Sequence, residues 1–330
     1  MHQLASMPPV PHGGDLGAAA ERYGIPIADW LDCSTGINPN AYPATLLAEP
    51  LTVLPQADAM ERLLQSARAG YGLSVDQPIV AAPGTQAILQ WLPVLMPVET
   101  VAILGPTYGE HARLWGSVAA VRIVPRLEDA VEADLVVVVN PNNPDGRIVP
   151  PADLQAFAKT QEGDTPRLIV DEAFCDVCPH TSVAGAKGTL VLKSFGKFFG
   201  LPGLRLGFAI GALRWVMALQ TALGPWAVGG SALAVGAEAL ADAAWIAATR
   251  THLADARRRL DGVLKGKGLT VIGGTDLFRL VAVEDAKALH HRLAREGVWT
   301  RRFDAAPTHL RIGLPADEAR FERALARATE

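Results

Sequence analysis

Leu135-Val136-Val137-Val138-Val139 is a strand without a polar face. Such a segment has to be covered on both sides, which a chain achieves in a parallel sheet flanked by helices. Similar short runs recur at 79–82, 101–104, 119–124, 168–170 and 189–192, with helix-length segments between them, including an apolar one at 87–95. The alternation predicts an α/β fold with a mostly parallel, doubly covered sheet over residues 41–212. Sheets of this kind bind ligands beyond the carboxyl ends of their strands. Function is therefore expected in the residues that follow each run.

Five of those ends are marked. Gly84-Thr85-Gln86 opens a helix, where backbone N–H groups and the positive end of the helix dipole favour an anion. Tyr108 follows its strand closely enough to lay a ring over a flat ligand. Asn143 lies in N-P-N-N-P-D-G after the valine run, Asp171 directly follows 168–170, and Lys197 follows 189–192. From 143 to 171 is 28 residues and from 171 to 197 is 26, each enough for a strand and its crossover. The three are thus expected along one sheet edge. A surface loop explains any one of these residues, but five in one sheet point to a site.

The stretch 192–207, L-K-S-F-G-K-F-F-G-L-P-G-L-R-L-G, carries the most chemistry. A lysine among phenylalanines is poorly solvated, which favours the neutral amine that an imine-forming lysine supplies. Ser194 and Arg205 suit a phosphate, the arginine through its planar fork of donors. Together they predict a Schiff base to a phosphorylated aldehyde, and pyridoxal 5′-phosphate fits every position. Lys197 forms the imine, and Asp171 pairs with the pyridine nitrogen so that the ring is an electron sink. Asn143 donates to the ring hydroxyl and Tyr108 stacks on the ring. Gly84, Thr85, Gln86, Ser194 and Arg205 hold the phosphate. No zinc or magnesium cluster competes.

Composition bounds the alternatives. A chain of 330 residues with 49% hydrophobic and 19% charged residues is a well-packed globule. A formal charge of -4 gives no footprint for nucleic acid. The start Met1-His2-Gln3-Leu4 does not resemble a signal peptide. The uncharged segment 215–236 is interrupted by Gln220, Pro225, Gly229 and Gly230, so it reads as two helices and a turn rather than a membrane span. Three cysteines make no disulfide framework, which fits a reducing cytoplasm. Cys175 and Cys178 form a C-x-x-C that is either a redox or metal motif or a pair of small buried residues; Cys33 receives no role.

The flanks differ in character from the centre. Residues 1–40 read as an arm in which His12-Gly13-Gly14-Asp15 is a turn and Asp15 caps a helix over 16–23. Residues 213–330 read as a smaller α+β domain. Its helices are expected at 212–223, 231–264, 286–296 and 316–326 and its strands at 269–272, 276–283, 298–302 and 309–312, with Gly273-Gly274 as a turn.

The strings G-T-Q, P-T-Y-G, N-P-N-N-P-D-G, D-E-A-F and S-F-G-K-F-F-G-L-P-G-L-R-L-G, in this order, resemble the class I/II aminotransferase superfamily of fold type I. The resemblance covers about residues 30–315. It implies a large domain with a seven-stranded-type sheet, a smaller α+β domain, and a homodimer with active sites at the subunit interface. One departure stands out. Leu54-Pro55-Gln56 replaces a common Tyr-Pro-Asp whose tyrosine reaches the neighbouring subunit's cofactor phosphate, so that contact is in question.

Within the superfamily, H-G-G-D at 12–15, L-D-C-S-T-G-I-N-P at 31–39 and G-P-W-A-V at 224–228 are similar to the branch that decarboxylates O-phosphothreonine during cobalamin synthesis. Phe174, where many relatives have a ring-contacting tyrosine, is similar to the same branch. By matching position, the likeness implies that His12 and Gly13 hold the substrate phosphate and that Gly36 and Asn143 line the substrate. It implies that Arg311 binds the carboxylate, with Arg301 as a second substrate arginine. Arg302 falls on the opposite face of the strand and reads better as a solvated charge. The expected partner is a small phosphorylated amino acid. A histidinol-phosphate-type aminotransferase is the second reading, and a non-catalytic cofactor-binding partner in the cobalamin pathway the third.

Overall fold

The computed structural model describes residues 12–45, 49–159 and 167–330. Its strands in chain order are β1 (Leu31–Asp32), β2 (Ile79–Ala82), β3 (Thr100–Leu104), β4 (Ala120–Val124), β5 (Leu135–Val139), β6 (Leu168–Asp171) and β7 (Thr189–Ser194). They continue with β8 (Gly207–Ile210), β9 (Thr270–Thr275), β10 (Phe278–Ala282), β11 (Val298–Trp299), β12 (Arg301–Phe303) and β13 (Ala306–Gly313). Among the described residues the chain divides into two compact units. The first comprises Tyr42–Asn143 and Ile148–Ala247; the second comprises residues 12–41, Pro144–Arg147 and Ala248–Glu330.

The first unit is a seven-stranded sheet in the order β2-β8-β7-β6-β5-β3-β4. All neighbours are parallel except β8, which runs antiparallel to both β2 and β7. Every residue of β5 is buried, as a strand without a polar face requires. Strand β8 was not expected from the sequence; Gly207-Phe208-Ala209-Ile210 is a short run directly behind the lysine loop. Its register, Ser194 with Gly207 and Ala82 with Gly207, brings the end of β7 and the turn after β2 to one place. The register also sets Val139 beside Asp171 and Asp171 beside Leu192. The ends that the sequence marked are therefore neighbours.

Two corrections follow. The division falls after Ala247, not at 212–213. The helix Leu213–Leu223 packs on β2 and on the helix Thr85–Leu95, while Gly230–Ala241 packs on Ala57–Gly70. Their apolar faces thus complete the large sheet's covering rather than open a new domain. Gly273 and Gly274 are not a turn either; they lie inside β9. A Cβ on Gly273 would stand 2.2 Å from Asp145 O, and Gly274 N donates to that same carbonyl at 2.7 Å. The glycines are there because the backbone of residues 144–147 lies against the strand.

The second unit is the antiparallel sheet β12-β13-β10-β9 with a separate parallel pair, β1-β11. The first strand joins the arm to this unit, with Leu31 opposite Val298. Asp15 caps the helix Leu16–Tyr23, its Oδ1 accepting from Ala18 N at 3.0 Å. Tyr23, Trp30 and Trp299 meet edge to face beside it. Among the described residues, no single helix is long and apolar enough to cross a membrane.

Candidate active site

Asp171 ends β6, 4% exposed, and is held by two donors. Ala173 N donates to Oδ1 at 3.0 Å, and Nε2 of His111 to Oδ2 at 3.0 Å. His111 is the residue that sequence reasoning missed. It lies on the helix Gly109–Trp115, three positions after Tyr108, and is 1% exposed. A carboxylate only accepts hydrogen bonds, so Nε2 carries a hydrogen, and Nδ1 is buried without a hydrogen-bond partner. A histidine one turn behind a marked tyrosine was the available signal, but nothing in the sequence pairs it with an aspartate 60 residues on.

Lys197 sits on the single turn Phe195–Phe198 directly after β7. Phe195, Phe198 and Phe199 are buried and, with Trp245, form a continuous aromatic support for that turn. Lys197 Nζ lies 5.7 Å from the centre of the Phe174 ring. Asn143 follows β5 in a loop tied down from both sides. Asn140 Nδ2 donates to Val149 O at 3.2 Å, Thr107 Oγ1 to Asn142 Oδ1 at 2.6 Å, and Asn142 Nδ2 to Pro106 O at 3.0 Å.

Gly84 precedes the helix Thr85–Leu95 with φ 83° and ψ 158°, a conformation essentially restricted to glycine. A Cβ there would stand 2.7 Å from Arg205 Nη2, so the guanidinium lies over the glycine. Arg205 itself is left-handed at φ 52°, and its Nη1 donates to Pro202 O at 3.1 Å. Gly207 brings β8 equally close, since a Cβ there would lie 2.6 Å from Thr85 N. A helix N-terminus, a guanidinium and, in register with Gly207, Ser194 therefore converge at one end of the sheet. Such a cradle fits a phosphate, and the buried, doubly held Asp171 fits a ring nitrogen that carries a proton. The Gln86 side chain turns away from this cradle: Nε2 donates to Glu110 Oε2 at 2.9 Å and Oε1 accepts from Tyr108 OH at 3.3 Å.

In the second unit, Ser34 is the centre of the polar contacts. Its Oγ accepts from Gly14 N at 2.7 Å and donates to Asp32 Oδ1 at 2.6 Å, and its carbonyl accepts from Arg311 Nη2 at 2.7 Å. A Cβ on Gly13 would stand 2.4 Å from that carbonyl, and His12 precedes it, exposed. Gly36 is buried two residues further on. Arg301 and Arg311 are directly opposed across β12 and β13, so their side chains share one face. Burial, and next the charge of Arg301, push the Arg311 guanidinium down to about 9, with Asp32 opposing. Arg302 pairs with exposed Asp304 on the other face.

Cys175 is buried on a 3-10 turn, its Sγ 3.4 Å from Thr181 Oγ1 and 3.7 Å from Cys178 O. Its contact with Cys178 and its burial hold the thiol well above the usual range, which disfavours the thiolate that redox or metal chemistry needs. Among the described residues no three His, Cys, Asp or Glu side chains gather to hold a metal. A second buried group does lie behind the site. Lys193 Nζ meets Glu172 Oε2 at 2.6 Å and Asp176 Oδ1 at 3.6 Å.

A mostly parallel sheet that gathers a lysine, a buried aspartate and a helix N-terminus with an arginine at one end has the architecture of a pyridoxal-phosphate fold. The model of the family "Aminotransferase class I and II" matches residues 53–327, and the chain belongs to that family; pyridoxal 5′-phosphate is its cofactor. The chain is 45% identical to a threonine-phosphate decarboxylase of Sinorhizobium sp, over 97% of this chain and 98% of that one. It is 42% identical to a threonine-phosphate decarboxylase of Pseudomonas aeruginosa, over 94% and 95%. A histidinol-phosphate aminotransferase of Thiobacillus denitrificans is 31% identical over 74% and 66%. Among solved structures, histidinol-phosphate aminotransferase from Sinorhizobium meliloti in complex with pyridoxal-5′-phosphate superposes with a TM-score of 0.83 at 20% identity, covering 99% of this chain and 95% of that one. The enzyme of the same name from Clostridium acetobutylicum gives 0.79 at 24%, covering 91% and 98%. At these identities the two structures speak for the fold alone.

Proposed function

We propose that this chain is a pyridoxal-phosphate-dependent decarboxylase. It converts O-phospho-L-threonine to (R)-1-amino-2-propanol O-2-phosphate and carbon dioxide in cobalamin biosynthesis. The observation that carries the reading is the 42–45% identity, over nearly the whole of each chain, to two relatives named threonine-phosphate decarboxylase. The geometry supports it. Two arginines on one strand face suit a ligand with two anionic groups, and phosphothreonine has a carboxylate and a phosphate.

When bound, the cofactor supplies an electron sink for the pair left at Cα as carbon dioxide departs. The chain's own residues do the rest. Lys197 would supply the amine that holds the cofactor aldehyde, and Lys197 or a water would deliver to Cα the proton that replaces the departing carboxylate. Asp171 keeps a proton on the ring nitrogen, Asn143 donates to the ring hydroxyl, and Tyr108 covers the ring. Gly84, Thr85, Ser194 and Arg205 hold the cofactor phosphate, joined by Gln86 through its backbone N–H alone. His12 and Gly13 hold the substrate phosphate, Gly36 and Asn143 line the substrate, and Arg311 binds its carboxylate, with Arg301 as a second substrate arginine. A substrate held through its phosphate and its carboxylate would have its orientation fixed, and orientation would choose which bond at Cα breaks.

The working form we infer is a homodimer with active sites at the subunit interface. Leu51, Val53 and Leu54 are exposed on the first unit, as is Trp226, which stands beside an apolar cleft of about 270 Å³ lined also by Met60, Ile79 and Leu223. Leu54 brings no hydroxyl to that surface. The likeness to histidinol-phosphate aminotransferases keeps transamination as the second reading. Incubation with phosphothreonine and no keto acid separates the two. Carbon dioxide release supports decarboxylation, whereas turnover only with 2-oxoglutarate overturns it.

A further inference from the structure

Behind Tyr108 and Gln86 lies a largely buried ion pair, Glu110 with Arg113, to which neither the family likeness nor the proposed reaction gives a task. Glu110 is 4% exposed, in the first turn of the helix that Tyr108 precedes. Both its oxygens accept from Arg113, Oε1 from Nε at 3.0 Å and Oε2 from Nη2 at 2.7 Å. Oε2 also accepts from Gln86 Nε2. That bond settles the amide. A carboxylate cannot donate, so Nε2 faces Glu110, Oε1 faces Tyr108, and the phenol must donate to it.

We propose that Glu110, locked by Arg113, is a positioning residue that fixes the Tyr108 ring through Gln86. The order is Arg113 to Glu110, Gln86 to Glu110, and Tyr108 to Gln86, every donor meeting an acceptor. Each link uses up one rotational freedom. The bidentate guanidinium fixes the carboxylate, the carboxylate fixes the amide, and the amide fixes the phenol oxygen. With its oxygen held and its other end on the backbone, the ring has one tilt. The same arrangement spends the phenolic hydrogen on Gln86, so Tyr108 serves as a plate and not as an acid. Burial, reinforced by the Glu110 charge, raises the phenol well above its ordinary range, which agrees with that role. His111, next in sequence, meets the Tyr108 ring edge on, 5.9 Å between centres, and adds a second restraint.

The inference rests on the reading that Tyr108 covers the cofactor ring, and the test separates the two. Wild type, Glu110→Ala, Gln86→Leu, Tyr108→Phe and Tyr108→Leu are loaded with pyridoxal 5′-phosphate. The circular dichroism of the bound cofactor's visible band and the rate of cofactor loss into cofactor-free buffer are then recorded. The first three variants each interrupt the chain while keeping the ring. Each is expected to lose at least half of the induced dichroism and to release cofactor about tenfold faster, the factor that 1.4 kcal/mol represents. The double variant Glu110→Ala/Tyr108→Phe is expected to be no worse than the poorer single one, because both cut the same chain. Wild-type dichroism and release in Tyr108→Phe, which removes one oxygen and leaves the packing, overturn the relay. So does additivity in the double variant. If Tyr108→Leu is also indistinguishable from wild type, the stacking role itself fails; if only Tyr108→Leu changes, stacking stands and the relay alone falls.

Discussion

His111 and Asp171 are joined by a buried hydrogen bond, Nε2 to Oδ2 at 3.0 Å, with 1% and 6% of their side chains exposed. The histidine comes from the helix after β3 and the aspartate from the end of β6, so the bond reaches across β5, which lies between those strands. Removing it leaves the carboxylate with Ala173 N as its remaining fixed donor from the protein. His111→Phe keeps the ring volume and deletes the donor. A hydrogen bond to a charged group contributes about 1.5–3 kcal/mol, so cofactor affinity is expected to fall about 10- to 150-fold. Equilibrium titration of the apoprotein with pyridoxal 5′-phosphate measures this. Unchanged affinity would mean that Asp171 is oriented without the histidine.

The pair Lys193–Glu172 calls for a stability measurement. Glu172 follows Asp171 and Lys193 precedes Ser194, so the pair clamps the strand end that carries Asp171 to the one that leads into Lys197. Glu172 also accepts from Ser182 Oγ at 2.6 Å and Val183 N at 2.7 Å. Lys193→Met leaves two buried carboxylates without their cation, which is expected to cost about 3–5 kcal/mol. Adding Glu172→Gln should return part of that loss. Burial alone would lower the Lys193 ammonium, but Glu172 and Asp176 outweigh it and hold it above the ordinary lysine range. A folded value above the unfolded one gives stability that is complete below about pH 10.4 and lost only as pH rises past the folded value. Urea unfolding of wild type and Lys193→Met should therefore differ by the same amount at pH 6 as at pH 9.

The opposed arginines predict a different pH dependence. Arg311 is held down to about 9, so between there and the ordinary guanidinium range the folded chain binds fewer protons than the unfolded one. Folding stability gains from this group as pH rises through that window. Ligand binding responds oppositely, because an anion near both guanidiniums needs Arg311 charged. Affinity of the apoprotein for a deaminated analogue of phosphothreonine should be level up to about pH 9 and about tenfold weaker one pH unit higher. Arg301→Gln removes one repelling charge and should move the break upward. A pH-independent affinity would exclude Arg311 from the anion site.

Much of this was legible in the sequence because the signals were local. Unbroken apolar runs gave six of the seven large-sheet strands, and the residue after each run needed no tertiary knowledge. Gly207–Ile210 escaped because a four-residue antiparallel insertion has only single turns, Phe195–Phe198 and Pro202–Leu204, before it to announce it. The helices Leu213–Leu223 and Gly230–Ala241 were assigned to the wrong unit because an apolar face does not say which sheet it covers. His111, Glu110 and Lys193 were illegible for one shared reason. Each matters through a partner on another element: an aspartate 60 residues away, a glutamine 24 residues back, and a glutamate on the neighbouring strand end.

Gly84 offers the sharpest test of the phosphate cradle. At φ 83° and ψ 158° an alanine is strained by about 1–3 kcal/mol, and its Cβ would stand 2.7 Å from Arg205 Nη2. Arg205 can relieve that contact only by moving its guanidinium away from the helix N-terminus. Gly84→Ala should therefore weaken pyridoxal 5′-phosphate about 10- to 100-fold, consistent with that strain. Pyridoxal, which has the same ring and aldehyde but no phosphate, should lose far less. The comparison of the two ligands on one variant is decisive, since general damage to the fold weakens both alike. Equal losses would mean that the glycine serves the turn and that the phosphate is held elsewhere.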